Sequence, residues 1–598
     1  MKMKKLPIGI ADFRDMVTGN YYYVDKTLFI KEIIDSGDKI LLIPRPRRFG
    51  KTLNLSMLGY FYNCCPVSWA PDFDSEAPVP AVSSITPGSQ TFPAQTSQIS
   101  NKHLFDALAI GNAGQEYLDK MNKFPVIFLS FKDTKEKTWE ICLKKIKQLI
   151  QDQYLAHDYL LNSPSIKPAE KTYFNKIIDL TGDIADYEHS LEKLLVFITR
   201  FYNNRAVILI DEYDAPVHTG YHYGYYEEIV NFIRNFLGGG LKDTGQYLEK
   251  GVVTGIMRIA KESIFSGFNN PGVYTMLSSK FSSSFGLTEE EVKTMLAYYQ
   301  IPGMYDQVKT WYDGYRFGGK VIYNPWSIIN FLNNEEKELI PYWINTSENQ
   351  LVETLLTSSG TELKEELEQL IRGESIEKSI DENIVLKNLT HREDLLWSFL
   401  LMGGYLKQIS KRRHPTSGKF IYTLSIPNEE VKTTYVSIIE NYFAEKVSKK
   451  NLEIMLKALI EGEIKHFEKM LKMVVLAVFS YHDFGNEPEK VYHALVAGLL
   501  IWITDTHEIK SNRESGFGRY DIIIIPRDPL KIGYVIEFKS VESDENETVD
   551  SAVNSALAQI DAQKYETELI ERGIKQIKKL AIVFSGKEVF VKEQVAVK

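Results

Sequence analysis

Runs of apolar residues alternate along this chain with stretches whose apolar positions recur at helical spacing, and together they predict a βα order. Ile40–Ile43 is a short continuous apolar run, and Phe124–Phe131 (FPVIFLSF), Ala206–Ile210 (AVILI) and Gly251–Ile256 (GVVTGI) are others. Short runs without alternation predict strands buried on both faces. Between them the spacing predicts helices at about Thr52–Tyr62, Thr138–Tyr154, Tyr187–Tyr202 and Glu227–Leu237, the last stopped by Gly238–Gly240. Such alternation predicts a mostly parallel sheet with helices on both faces and ligand-bearing loops after the strands.

Downstream the pattern changes. Thr288 and Glu291 form a capping box at the head of EEEVKTMLAYY, which marks a helix start and a new subdomain. The spacing stays largely helical to about Arg392, broken by the aromatic segment Trp311–Trp326, which reads as core turns. Glu393–Met402 predicts a helix, and Tyr405–Ile409 and Phe420–Ile426 predict strands around the basic turn Lys411–Gly418. A helix and hairpin in this order form the end of a winged helix, with Lys411, Arg412, Arg413 and His414 placed to meet phosphates. A solvated turn accounts for the same residues. Helices fill 427–479. In the last part, strands Ile522–Ile525, Gly533–Lys539 and Lys579–Phe584 and a helix Val549–Ile570 predict a small α/β sheet.

Residues 66–100 are rich in Pro, Ser and Thr and hold no Lys or Arg, which predicts a surface insertion outside any core. The domain expectation is therefore 1–285 with that insertion, a helical lid-like region 286–392, a winged-helix-like and helical connector 393–479, and a small α/β domain 480–598.

Composition narrows the class. With 598 residues, about three or four domains are expected, and 44% hydrophobic with 25% charged residues suits a globular chain with several cores. A formal charge of −9 argues against a protein that coats polyanions along its whole surface, while leaving room for local basic grooves. Three cysteines without a CxxC pair indicate neither a disulfide framework nor a cysteine-rich zinc site, and a cytoplasmic setting fits. MKMKKLPIGIADF lacks an apolar core of signal-peptide length, and Ala494–Ile503 is too short to span a bilayer, so no membrane partner is expected.

Two places carry candidate chemistry. In ILLIPRPRRFGKTLNLS the apolar run meets a loop ending Gly50-Lys51-Thr52 and helical sequence follows. A helix N-terminus and a lysine at that point suit the terminal phosphates of a nucleotide. The usual first glycine of a phosphate loop is Arg45 here, Pro46 lacks an N–H, and Arg45, Arg47 and Arg48 bring full charges to the loop. Ala206–Ile210 ends in Asp211-Glu212, and burying two acids at a strand end is costly without a cation. With Lys51 and Thr52 this points to ATP with Mg2+ held by Thr52 and Asp211, and Glu212 polarising water. The second place is Asp521…Glu537-x-Lys539. Alternation puts Glu537 and Lys539 on one strand face, and a hairpin brings Asp521 toward Glu537. Two carboxylates and a lysine so arranged suit Mg2+ or Mn2+ and phosphodiester hydrolysis, with Glu487 as a further acid. An ordinary amphipathic hairpin shows the same residues. His482, His493 and His507 read as core or surface histidines.

The chain resembles the bacterial and archaeal family that joins an AAA-ATPase-like N-terminal domain to a PD-(D/E)XK nuclease-like C-terminal domain. The resemblance rests on LPIGIADF, YYYVDKT, RPRRFGKT, LIDEYDAP, TGIMRIAKESIFSGFNN, FGLTEEEV, WYDGYRFG, YNPWS and FGRYDIIIIP…YVIEFK. RPRRFGKT is how this family writes its phosphate loop. The fold implied is α/β: a P-loop NTPase of AAA-like type with a mostly parallel sheet, a helical and winged-helix-like middle, and a small restriction-endonuclease-like domain. The resemblance implies nucleotide binding by Arg47, Arg48, Gly50, Lys51, Thr52, Asp211, Thr254 as a polar sensor and Arg258 as a phosphate-sensing arginine. It implies catalysis by Glu212 in one half and by Asp521, Glu537 and Lys539 in the other, with metal on Thr52, Asp211, Asp521, Glu537 and Glu487. The implied cofactors are ATP and Mg2+, or Mn2+ at the nuclease-like site, and the implied partner is nucleic acid, DNA above all. Gln559 and Tyr565 fall near the helix position of a Q-x-x-x-Y pair, though their spacing is longer. Two rival readings stand beside this one: a nucleotide-gated scaffold that does not cut, and a DNA-binding regulator using 393–430. Oligomeric state is left open.

Overall fold

The computed structural model describes residues 3–64, 101–242, 245–259, 271–343, parts of 366–386, 393–478, 505–515, 518–541, 548–585 and 588–595, with a few single positions between. The expected insertion 66–100 and Glu487 lie outside the described residues. Contacts divide the chain into two units, 1–351 with 377–431, and 352–376 with 432–598.

The first unit is built on a five-stranded sheet of β1 (Ile40–Pro44), β2 (Val126–Ser130), β3 (Ala206–Asp211), β4 (Leu248–Gly255) and β5 (Gly272–Val273). Its order is β2-β3-β4-β1-β5 and all pairings are parallel. β1 and β3 are buried along their whole length, and β2 until its last residue, which is why their sequences are unbroken apolar runs. β4 lies between β1 and β3, so the loop after β1 faces the acids after β3 across the end of β4. Register makes this specific: Ile43 pairs with Thr254, and Ser130 with Asp211.

The helix expected to stop at Gly238–Gly240 runs through them, from Tyr226 to Leu241. Gly240 serves close packing there: a Cβ on it would lie 2.4 Å from Cγ of Leu191. The capping box forms as the spacing predicts, with Thr288 and Glu291 bonding each other's backbone N–H. Beyond it, β6 (Leu287–Thr288), β7 (Tyr315–Phe317) and β8 (Lys320–Tyr323) make a small antiparallel sheet in order β6-β8-β7. In the aromatic segment Tyr312, Tyr315 and Tyr323 are fully buried, as core turns require. A third sheet, of order β10-β11-β9, joins β9 (Ile376–Ser379), which precedes the helix Glu393–Gly403, to β10 (Lys407–Arg413) and β11 (Phe420–Ser425), which follow it. Lys411–Arg413 thus lie in the strand, and the turn begins at His414.

The second unit carries helices Lys449–Ile460 and Ile464–Val478 and a five-stranded sheet, β12 (His507–Ser515), β13 (Gly518–Pro526), β14 (Ile532–Ser540), β15 (Gln576–Ser585) and β16 (Glu588–Val595), in that order. β14 and β15 are parallel and the other pairs antiparallel. One sheet face packs Ile522, Ile524, Ile536 and Phe538 against the two helices. The other packs Ile523 and Val535 under helix Val549–Gln563. His507 is a buried core histidine, its pKa lowered by burial.

Candidate functional site

At the end of β1 the chain turns through Arg45–Gly50 into helix Lys51–Tyr62. Gly50 caps that helix at φ 83°, a conformation that favours glycine. The lysine side chain folds back over the loop: Lys51 Nζ donates to the carbonyls of Arg45 (3.1 Å) and Pro46 (3.0 Å). Burial lowers its pKa, against the pull of Glu212, Asp211 and Asp214.

Asp211 stands at the centre. Its carboxylate accepts from Thr52 Oγ1 at 2.6 Å, Thr254 Oγ1 at 2.7 Å and the Glu212 amide at 3.1 Å. Burial and then the Glu212 charge raise its pKa, opposed by the two threonine hydroxyls and Lys51. Glu212 sits at φ 50°, a region that residues with side chains seldom take and that clusters at functional sites. Its carboxylate pairs with Lys135 at 3.4 Å. Arg47 is half-buried, and burial depresses its guanidinium while Tyr405, Glu212 and Asp214 support the charge. Lys51, Thr52, Asp211, Glu212, Thr254 and Arg47 are therefore drawn together across the end of β4.

Other loop arginines go elsewhere. Arg45 is fully buried beneath the loop, donating to the carbonyls of Pro44 (2.8 Å), Tyr274 (2.6 Å) and Phe281 (3.1 Å), and burial lowers its pKa to about 9. The expectation that it charges the phosphate loop is corrected: it fastens the loop from below. Arg48, at φ 66°, lays its guanidinium over Trp326 at 4.2 Å. Arg258 follows β4; its charge reaches Tyr213, and its Nε is buried without a hydrogen-bond partner among the described residues. Sequence reading missed Asp214, which is buried and accepts from the amides of Ile256 (2.7 Å) and Met257 (3.1 Å) with His218 Nε2 at 3.4 Å. It ties the segment after β3 to the end of β4. The signal was present, as the second aspartate of LIDEYDAP.

In the second unit β13 and β14 pair so that Ile522 faces Ile536, which sets Asp521 against Glu537. Asp521 Oδ2 accepts the Phe538 amide at 2.7 Å. Glu537 is buried, and Gln559 Nε2 donates to its Oε1. Gln559 also lies 3.5 Å from Tyr565 Oη, whose pKa rises through burial first and then through the charges of Glu537 and Asp521. The helix expected to reach Ile570 ends at Gln563, and Lys564 at φ 54° turns the chain so that Tyr565 returns to Gln559. Lys539 lies on the Glu537 face of β14, half-buried. Hard carboxylate oxygens in this pairing suit Mg2+ or Mn2+. Among the described residues no group of three or more His, Cys, Asp or Glu is arranged to hold a metal ion.

Comparison with known proteins gives two family matches. The model described as "Predicted AAA-ATPase" (AAA-ATPase-like) matches residues 7–67 and 90–265. The PD-(D/E)XK nuclease superfamily model matches residues 487–594. Across 591 residues, 98% of this chain and 97% of the other, the sequence is 24% identical to an uncharacterized protein in the vnfD 5' region of Azotobacter chroococcum mcd 1. No solved structure matches the chain. Strands β1–β4 with their loop-and-acid edge, and the strands bearing Asp521 and Glu537, thus fall in the two matched stretches, and the chain joins an AAA-ATPase-like region to a domain of the PD-(D/E)XK nuclease superfamily.

Proposed function

We propose that the chain binds and hydrolyses ATP at the edge of the parallel sheet, and that its C-terminal domain hydrolyses phosphodiester bonds in nucleic acid. The observation that carries the first half is the Asp211 carboxylate, buried and held by Thr52 and Thr254 at the mouth of the Lys51 helix. Lys51, now satisfied by loop carbonyls, exchanges them for the terminal phosphates. Gly50 leaves the first N–H groups of the helix open to the anion. Thr52 and Asp211 would hold Mg2+, which neutralises phosphate charge when bound. Glu212 orients the attacking water, and Arg47, Thr254 and Arg258, joined by Arg48 once it leaves the Trp326 ring, complete the phosphate and sensing contacts.

In the second half Asp521 and Glu537, with Glu487, would hold Mg2+ or Mn2+, which supplies Lewis acidity at the scissile phosphate. Lys539 orients or deprotonates the water, and Gln559 fixes the Glu537 carboxylate. Nucleotide state regulates the cut, DNA is the substrate, and the protein works in the cytoplasm; no helix among the described residues is long and apolar enough to cross a membrane. The test is incubation of purified protein with ATP, Mn2+ and a panel of labelled single- and double-stranded DNA and RNA. Degradation is expected from the wild type and is abolished in the Asp521→Ala/Glu537→Ala variant; degradation that survives both substitutions refutes the assigned site.

A non-cutting scaffold is the rival reading. Calorimetric titration with Mn2+ separates the readings, because a scaffold needs no carboxylate metal site.

A further inference from the structure

The hairpin β10–β11 is charged against the trend of the chain. From Leu395 to Asn428 the sequence carries five Lys or Arg and no Asp or Glu, in a protein of formal charge −9. Register sorts these residues by face. Lys411 pairs with Tyr422 and Arg413 with Phe420, so these four share one face, while Arg412 pairs with Ile421 on the other.

The two faces do different things. Arg412 makes a two-pronged contact with Glu377, its Nε at 3.1 Å and Nη2 at 2.7 Å from the carboxylate oxygens, which ties the hairpin to the neighbouring strand. On the opposite face Lys411, Arg413 and Phe420 are all exposed, Phe420 to 48%. Lys411 Nζ stands 5.3 Å from the centre of that ring. Arg413 Nε donates to the Gly418 carbonyl at 3.1 Å, which fixes the turn. Lys411 thus lies over an exposed aromatic ring and Arg413 stands opposite that ring's residue in the register, so the face offers two cations beside an aromatic surface. Cations flanking an exposed ring are the two components of single-strand recognition: phosphates meet the charges and a base stacks on the ring.

We propose that this face, Lys411, Arg413 and Phe420, docks a single-stranded segment of nucleic acid, independently of metal. The inference rests on the nucleic-acid reading of the chain, and it names where the polymer is gripped.

The experiment is fluorescence anisotropy of the full chain with labelled single-stranded oligonucleotides and a matched duplex, in EDTA, over a series of salt concentrations. The wild type is expected to bind the single strand more tightly than the duplex. Lys411→Gln/Arg413→Gln removes two phosphate contacts and makes the log–log salt slope shallower by about 1.4. Phe420→Ala weakens binding by about five- to a hundredfold at unchanged slope, and Phe420→Trp and Lys411→Arg/Arg413→Lys retain it. An unchanged slope in the double glutamine variant, full affinity in Phe420→Ala, or preference for the duplex overturns the proposal. Because EDTA prevents cleavage, failure here is distinct from failure of the nuclease assignment, which shows as binding without cutting once Mn2+ is restored.

Discussion

Replacing Asp211 by Asn separates what the nucleotide site needs from what the fold needs. The carboxylate is 1% exposed, and burial followed by the Glu212 charge raises its pKa. A raised folded pKa means that the folded state binds more protons than the unfolded one between the ordinary carboxylate value and the raised one. Stability therefore falls as pH climbs through that window, and the loss persists above it. Asn removes a buried charge whose cost without a cation is on the order of several kcal/mol. It also turns three charge-assisted hydrogen bonds, from Thr52 at 2.6 Å, Thr254 at 2.7 Å and the Glu212 amide at 3.1 Å, into weaker or altered ones. That change costs about 1 kcal/mol each. Thr254 has a second acceptor in the Ile210 carbonyl at 3.4 Å, which eases the exchange. The two sums nearly cancel. Asp211→Asn is therefore expected to unfold, without nucleotide, no more easily than the wild type at neutral pH, and to lose part of the decline with pH. With MgATP at a hundredfold excess over Kd the wild type gains about 2.7 kcal/mol, whereas the variant gains little and turns over no ATP. Calorimetric unfolding with and without MgATP, beside a phosphate-release assay, reads both. A variant that is several kcal/mol weaker without nucleotide, or that keeps the full nucleotide gain, refutes the reasoning.

Three further outcomes follow from the packing. Glu430 accepts from Ser327 Oγ and the Trp343 amide, and burial nevertheless lifts its pKa to about 7. Its ionisation costs stability as pH rises from the ordinary carboxylate range through about 7, so Glu430→Gln should gain roughly 3 kcal/mol on the wild type between pH about 4 and 8; denaturant titration at both ends checks it, and parallel profiles contradict it. Gly240→Ala forces a Cβ to within 2.4 Å of Leu191 and should cost about 1–3 kcal/mol. Gly238→Ala, in the same helix but with no described atom within 4 Å of its Cβ, should instead stabilise by about 0.5–1 kcal/mol; thermal unfolding of the pair must give opposite signs.

Much of the first unit was legible because its signals are local. An apolar run buried on both faces announces β1, β2 and β3 wherever they pair, and Thr288 with Glu291 announces a helix start from four residues. Signals that depend on distant partners were not legible. Three consecutive glycines read as a stop, yet the helix continues because Leu191 requires the missing Cβ. Arg45 reads as a charge brought to the phosphate loop, yet the carbonyls of Tyr274 and Phe281, more than two hundred residues away, claim it. β12 and β16 have no apolar run of their own and form through pairing with β13 and β15. In the candidate site, alternation placed Glu537 and Lys539 on one face, but the Gln559–Tyr565 association was hidden because their spacing fits no continuous helix; the turn at Lys564 restores it.

The central claim is that triphosphate sits on the Lys51 loop with Mg2+ against Asp211. Equilibrium binding of a slowly hydrolysed ATP analogue with Mg2+ to the wild type and to Lys51→Ala tests it most directly. Saturable, Mg2+-dependent binding by the wild type that the alanine variant loses is the predicted result. A wild type that binds no nucleotide, or a variant that binds it equally well, contradicts the account.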